Sequence, residues 1–204
     1  MSERKEKRDF DFPGFDQPSI TLFSGPSGIG KTSLVREFFI KNQIPRVNNA
    51  ILACEYPDEN PYEQILTMIV ANNKDAKIIR TDCKNMDNIV GNLNKNEINF
   101  LFIDDQFNDN NFKLGKLGTV DSRHKNCTTF CITQNIHNDM KNFVHFRRQV
   151  RYFIIFTERG DRSILTFLRN AFPETAVGLK YRDLPATRWL CAIVTGKQIG
   201  RAHV

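Results

Sequence analysis

The chain has 204 residues, of which 40% are hydrophobic and 25% are charged, the proportions of an ordinary globular protein. A chain of this length is expected to form a single domain that buries its own core without disulfides or a structural metal. Its apolar runs fall well short of the roughly 20 residues of a membrane-spanning helix, so no membrane partner is expected. The charged N-terminus lacks the apolar stretch of a secretory signal. The five cysteines are odd in number and lie mostly in apolar runs, which indicates reduced thiols in the cytoplasm or nucleus.

The formal net charge is +6, and the excess of basic residues lies in the second half of the chain. One segment of that half, residues 141–169, contains Lys141, Arg147, Arg148, Arg151, Arg159, Arg162 and Arg169. A moderate basic bias permits a nucleic-acid partner and is equally typical of a solvated surface, so charge alone leaves both interpretations open.

Residues 1–18 are polar and contain Pro13, Gly14 and Pro18, which predicts a flexible N-terminal arm. Apolar spacing then predicts strands over 19–24, 49–54, 77–80, 98–103, 127–133, 152–156 and 189–194, and helices over 31–42, 62–71, 86–93 and 163–172. The inward faces of the first two helices are predicted to be Leu34, Val35, Phe38 and Phe39, and Ile65, Leu66, Ile69 and Val70. Because several strands are apolar on both faces and alternate with helices, we expect an α/β domain over 19–194 with a mostly parallel sheet sandwiched between helices.

Residues 25–32 match the Walker A or P-loop pattern G-x-x-x-x-G-K-[ST], between a predicted strand and a predicted helix. Its glycines let backbone N–H groups wrap a phosphate, which also lies at the positive end of the following helix. Lys31 is expected to contact the β- and γ-phosphates and Thr32 to hold Mg²⁺, so ATP and Mg²⁺ are the predicted cofactors. The predicted nucleotide-binding residues are Gly25, Pro26, Ser27, Gly28, Ile29, Gly30, Lys31, Thr32 and Ser33.

The apolar run at residues 100–103 ends in Asp104 and Asp105, which is the form of a Walker B strand. Asp104 is expected to bind Mg²⁺, through a water molecule, and Asp105 to polarise the attacking water as general base. Since a nucleotide kinase needs no water-activating carboxylate, the second acidic residue favours ATP hydrolysis.

The predicted strand 127–133 is followed by Gln134 and Asn135. Ligands of parallel sheets bind at the carboxyl ends of the strands, where the P-loop and the Asp104–Asp105 pair are also expected. Gln134 is therefore predicted to sense the γ-phosphate and the attacking water. Together these motifs predict the P-loop NTPase fold.

Two further patterns have structural and functional interpretations. Cys127 and Cys131 share a strand face but are about 13 Å apart and have no second Cys/His pair at zinc-ligand spacing, so they are interpreted as structural thiols. Phe143 and Phe146 are interleaved with basic residues. They are most simply core residues, and a loop of this composition also suits contact with DNA.

These motifs resemble the FtsK–HerA superfamily of DNA-pumping ATPases, which implies a RecA/FtsK-like core. The closer resemblance is to the small packaging ATPases of poxvirus-like and polinton or adintovirus-type DNA viruses and transposons. It spans roughly residues 10–194 and is carried by residues 10–13, 25–32, 102–105, 122–128, 132–135 and 151–156, with Asp161 and residues 170–173 beyond them.

The resemblance implies a ring of subunits, a hexamer, that hydrolyses ATP to drive double-stranded DNA into a capsid. Its implied partners are DNA, further copies of the chain and a capsid or portal-like protein, at the assembly site in the host cytoplasm or nucleus or in the virion. In such rings an arginine reaches the neighbour's γ-phosphate; Arg123 is the candidate, with Arg147 and Arg148 as competitors. One departure is Gly160, since related sequences tend to have arginine immediately before the residue that here is Asp161.

Two other classes of function remain open. One is a different P-loop enzyme, such as a nucleotide kinase or a helicase loader, against which the Asp104–Asp105 pair and Gln134 argue. The other is a nucleotide-dependent DNA-binding protein that does not hydrolyse ATP, against which the intact Lys31 and Thr32 argue.

The C-terminus has a separate interpretation. Residues 199–204 read as the translation of a common sequencing adapter. We therefore predict that 195–204 is a non-native tail and that the natural chain continues differently beyond it.

Overall fold

The structure is a computed structural model. It describes residues 18–54, 60–81, 85–105, 116–117, 124–136, 146–156, 166–167, 189–195 and 198–199. The strands of these residues are Ile20–Ser24 (β1), Asn49–Ala53 (β2), Lys77–Thr81 (β3), Asn99–Asp104 (β4), Cys127–Thr133 (β5), Tyr152–Phe156 (β6), Trp189–Thr195 (β7) and Gln198–Ile199 (β8). The helices are Lys31–Lys41 (α1), Asn60–Asn72 (α2) and Met86–Gly91 (α3).

The described strands form one sheet in the order β3-β2-β4-β5-β1-β6-β7-β8. In this order, all neighbouring strands from β3 through β6 pair in parallel. The strand β7 pairs antiparallel with both of its neighbours, β6 and β8. The prediction of a mostly parallel sheet is therefore confirmed. The helix α2 lies in the crossover that joins the parallel neighbours β2 and β3. The helices α1 and α3 connect β1 to β2 and β3 to β4, which are not neighbours in the sheet.

The strands of the sheet are apolar on both sides, and helices cover both faces and so remove this apolar surface from water. On one face, α1 and α2 pack on a cluster that contains Phe39, Phe100, Phe102 and Phe130. The ring of Phe39 lies 5.4–5.9 Å from the other three rings. On the opposite face, α3 packs on the alternate side chains of the same strands. The predicted sandwich is thus confirmed as well.

Apart from the helix predicted at 163–172, whose ends lie outside the described residues, the predicted strand and helix boundaries are correct to within two residues. The inward face predicted for the second helix is wrong at one position. Val70 is 38% exposed. The buried stripe of α2 is Tyr62, Ile65, Leu66 and Ile69, at the spacing i, i+3, i+4, i+7. Val70 follows Ile69 by about 100° around the helix and so points away from the stripe.

Three predictions concern regions that are described only in part. Of the helix predicted at 163–172, residues 166–167 are described and are helical. The arm predicted at 1–18 lies outside the described residues except for Pro18. β8 lies in the predicted non-native tail and pairs with β7, which does not test the origin of that tail. None of the described helices is long and apolar enough to cross a membrane.

The strand order places three predicted motifs at the same end of the sheet, where the strands have their carboxyl ends. β5 lies between β1 and β4, in parallel with both. The P-loop follows β1, the Asp104–Asp105 pair ends β4, and Gln134 follows β5. In the register of the sheet Ser24 pairs with Thr133, and Asp104 pairs with Ile132. The carboxyl ends of three adjacent strands therefore form one site.

Candidate active site

The backbone of the P-loop depends on two glycines with positive φ. Gly28 has a φ of 74° and Gly30 a φ of 97°, values at which a side chain would be strained. Gly30 is the N-cap of α1, and it supplies no side-chain cap. The first turn of α1 contains no acidic residue. The helix therefore begins with N–H groups that lack partners within the helix and with its positive dipole end, a site suited to an anion.

Gly25, the first residue of the loop, is required for a different reason. A Cβ at this position would lie 2.6 Å from the Cβ of Phe156 and 3.1 Å from its carbonyl oxygen. The N–H of Gly25 donates to the carbonyl of Thr133 at 3.2 Å. The start of the loop is thus held closely between β6 on one side and β5 on the other.

Lys31 lies against the loop that precedes it and is only 7% exposed. Its Nζ donates to the carbonyl oxygens of Gly25 at 2.7 Å and Pro26 at 2.8 Å. Burial lowers the pKa of Lys31, while the negative charges of Asp105 and Asp104 act in the opposite direction. The ammonium group is therefore fixed at the mouth of the loop, in the electrostatic field of both aspartates.

One predicted Mg²⁺ ligand, Asp104, is held by a residue that the sequence did not identify, Tyr62 on α2. The Tyr62 hydroxyl donates to Oδ2 of Asp104, and the side chain of Thr32, the other predicted ligand, lies beside this hydroxyl. Burial, and next the charge of Asp104, raise the pKa of Tyr62 above its ordinary value, so this hydroxyl stays protonated. The sequence offered only a general signal, that the first turns of a helix after a parallel strand lie near the carboxyl ends of the strands, and this does not single out Tyr62.

The donor set at this position fits Mg²⁺. A hydroxyl and a carboxylate are hard oxygen ligands, and Mg²⁺ takes one or two such protein ligands together with water and substrate phosphates. The described residues contain no group of three or more His, Cys, Asp or Glu side chains that could hold a metal ion, so they offer no closed all-protein cage. Thr32 and Asp104 would hold the ion beside bound phosphates.

Asp105 and Gln134 form the outer part of the site, and both are exposed. Asp105 has a φ of 50°, and its N–H donates to the carbonyl of Ile132 at 3.0 Å. Its Oδ1 accepts from the backbone N–H of Gln134 at 2.9 Å, and its Oδ2 accepts from the Gln134 side-chain amide at 2.8 Å. We call this two-bond contact the Asp105–Gln134 clasp.

The arginines predicted to act between subunits have different surroundings. Arg123 lies outside the described residues. Arg147 donates to the carbonyl of Ile136 at 2.7 Å, and its guanidinium lies 5.5 Å from the centre of the Phe167 ring. Arg148 is exposed. Phe146 is fully buried in the core, so its core interpretation is confirmed, whereas Phe143 lies outside the described residues. Cys127 and Cys131 are also buried in the core, as expected of structural thiols.

Comparisons with known proteins establish the fold. No family model matches the chain, and no curated protein matches it. Among solved structures, the genome packaging NTPase B204 from Sulfolobus turreted icosahedral virus 2 in complex with ATP-gammaS superposes with a TM-score of 0.61 at 18% identity, over 92% of this chain and 97% of that chain. The same protein with AMPPCP gives a TM-score of 0.62 at 17% identity, over the same shares. With the motifs and topology above, this likeness shows that the chain has the P-loop NTPase fold.

Proposed function

We propose that this chain is an ATP-hydrolysing motor that translocates double-stranded DNA into the capsid of a virus or virus-like transposon. The observation that carries the proposal is the meeting of a complete P-loop with Asp104, Asp105 and Gln134 at one sheet edge. A phosphate site beside an acidic pair that neighbouring side chains orient suits transfer of the γ-phosphoryl group to water. The fold likeness to a protein described as a genome packaging NTPase supports packaging as the purpose of that hydrolysis.

In this proposal each residue of the site has a distinct task. The P-loop N–H groups bind the phosphates, and Lys31 moves from the carbonyls of Gly25 and Pro26 onto the β- and γ-phosphates. Thr32 and Asp104 hold Mg²⁺, which supplies charge neutralisation when bound. Asp105 accepts a proton from the attacking water. The Gln134 amide orients that water and the γ-phosphate.

The site is proposed to be completed by a neighbouring subunit in a hexameric ring. Phosphoryl transfer leaves charge on the γ-phosphate oxygens that an arginine supplied in trans stabilises. Arg123 remains the first candidate from the resemblance. Since Arg147 is bound within its own subunit to Ile136 and Phe167, Arg148 is the stronger competitor.

The remaining partners follow from the packaging proposal. The basic residues of the second half would contact the DNA backbone, and a capsid or portal-like protein would anchor the ring. The expected location is the virus assembly site in the host cytoplasm or nucleus, or the virion. A nucleotide kinase, a helicase loader and a non-hydrolysing DNA-binding protein are the alternatives that experiment must separate.

The test is ATP hydrolysis measured with and without duplex DNA, on a preparation whose oligomeric state is determined by light scattering. We expect DNA-stimulated turnover that is lost in Lys31→Ala and in Asp105→Asn. Asp75→Asn is the matched control, because the Asp75 side chain is 89% exposed and Asp75 precedes β3, at the end of the sheet where the strands begin. Turnover that requires a nucleoside monophosphate instead of DNA would exclude the motor. ATP binding without turnover by an assembled ring would favour the non-hydrolysing alternative.

A further inference from the structure

Tyr62 is a buried polar residue in contact with both predicted metal ligands. It is 2% exposed, and its ring belongs to the core cluster beneath α1 and α2. Its hydroxyl reaches the side chains of Thr32 and Asp104 at the sheet edge. A core position alone requires only the ring, so the placement of the hydroxyl calls for a further explanation.

The three residues come from three separate elements. Thr32 lies in the first turn of α1, Asp104 ends β4, and Tyr62 belongs to α2. α2 follows β2, which pairs directly with β4. The phenol therefore holds Asp104 from a different element and lies beside Thr32 of a third one, and its own position is fixed by the burial of its ring.

Counting protons defines what each oxygen can offer. A tyrosine hydroxyl has one hydrogen and can also accept. The hydrogen of Tyr62 goes to Oδ2 of Asp104, so the phenol can offer the neighbouring Thr32 hydroxyl only an acceptor. The Asp104 carboxylate is thus oriented by a group that cannot move without its buried ring.

We propose that Tyr62 is a positioning residue for the Mg²⁺ site, which orients the Asp104 carboxylate, beside Thr32, for the cation that accompanies ATP. This inference rests on the proposed function, because it assumes that Thr32 and Asp104 are the ligands. Outer hydrogen bonds that orient metal ligands typically change metal affinity by about 10- to 100-fold. A side chain held in advance also loses less rotamer entropy when the ion binds.

The competing explanation is that Tyr62 only packs. Both explanations expect some loss of stability when the residue changes, so stability cannot separate them. They differ in the Mg²⁺ dependence of nucleotide binding, which the packing explanation leaves unchanged.

The test is binding of a non-hydrolysable ATP analogue to the full chain, measured across a Mg²⁺ titration and again in EDTA. Tyr62→Phe retains the buried ring and removes the hydroxyl. We expect its Mg²⁺ midpoint to rise by about tenfold or more, while the Kd in EDTA stays within about twofold of wild type. Tyr152→Phe is the matched control. Tyr152 is also 2% exposed, but it begins β6 and so lies at the amino ends of the strands, away from the site. Its Mg²⁺ midpoint should equal that of wild type.

Two results would overturn the inference: an unchanged Mg²⁺ midpoint in folded Tyr62→Phe, or an equal loss of affinity in EDTA and in Mg²⁺. If wild type shows no Mg²⁺-dependent binding at all, the proposed function fails too, so the two failures are distinguishable.

Incorporation of p-aminophenylalanine at position 62 retains a donor to Asp104 and guards against misfolding of Tyr62→Phe. Its midpoint should stay within about threefold of wild type, and a tenfold rise would also overturn the inference.

Discussion

Both carboxylate oxygens of Asp105 accept hydrogen bonds from one residue, Gln134, through its backbone N–H and its side-chain amide. The clasp joins the ends of β4 and β5, and β5 also pairs with the P-loop strand β1. The proposed general base and the proposed sensor are thus held to each other. Contact between the γ-phosphate and the Gln134 amide would therefore alter the orientation of Asp105 at the same time.

Gln134→Ala should therefore slow hydrolysis more than it weakens binding. Loss of the amide removes one of the two bonds that orient Asp105 and the contact proposed for the γ-phosphate. We expect kcat to fall by about 10- to 100-fold while the Kd of ATP changes by about threefold or less, because the P-loop is untouched. Steady-state kinetics and equilibrium binding measure the two quantities separately. Asn135→Ala, which removes the adjacent exposed amide, is the control, and a kcat loss of equal size there would contradict the assignment of Gln134.

The burial of Lys31 predicts a pH dependence of stability. Its pKa is lowered from 10.5 in the folded state. At low pH the ammonium is charged in both states and its burial opposes folding in full. As the pH rises through the lowered pKa, the folded state loses its proton first, so stability increases until the pH passes 10.5.

Urea unfolding between pH 7 and pH 10 tests this dependence. The unfolding free energy of wild type should rise with pH relative to that of Lys31→Met, by about 1.4 kcal/mol for each unit of pKa depression. Lys41→Met is the matched control, since Lys41 lies on the same helix and its side chain is 70% exposed. Parallel curves for wild type and Lys31→Met would show that burial does not perturb Lys31.

Sequence reasoning recovered the parts of the site that depend on local pattern. The P-loop glycines and the strand ends at Asp104 and Gln134 follow from residue spacing and from the geometry of parallel sheets. Tyr62 could not be assigned in this way, because its contact with Asp104 depends on how α2 packs beside β4. The clasp was equally hidden, since the φ of 50° at Asp105 belongs to a backbone conformation that aspartate adopts only occasionally. Val70 was misplaced because an apolar residue next to a buried stripe cannot be distinguished from it by hydrophobicity alone.

The close approach of Gly25 to β6 predicts a large cost for a single methyl group. Gly25→Ala places a Cβ 2.6 Å from that of Phe156, which β6 cannot relieve without moving. We expect a loss of about 2–3 kcal/mol in unfolding free energy and a loss of ATP binding, because the loop start shifts. Gly91→Ala is the control, since a Cβ there has nothing within 4 Å and alanine favours the helix. If Gly25→Ala were as stable as Gly91→Ala, the loop would not be held against Phe156 as described.

At the amino ends of the strands, opposite the candidate site, Asn99 is fully buried. Its Oδ1 accepts from the Asn49 side chain at 2.7 Å, and its Nδ2 donates to the carbonyl of Lys125 at 2.6 Å. These bonds connect β2 and β4 to the turn before β5. Asn99→Ala would leave the Asn49 amide and the Lys125 carbonyl with fewer partners, and it should cost about 2–3 kcal/mol.

Chemical denaturation of Asn99→Ala measures that cost. Asn92→Ala is the control, because Asn92 is exposed and its side-chain amide donates to the nearby side chain of Asn88 at 3.0 Å. Since Asn99 begins β4 and the acidic pair ends it, the folded fraction of Asn99→Ala should bind ATP with the Kd of wild type. A changed Kd with unchanged stability would mean that the two ends of β4 are coupled, contrary to the rigid sheet that positions this site.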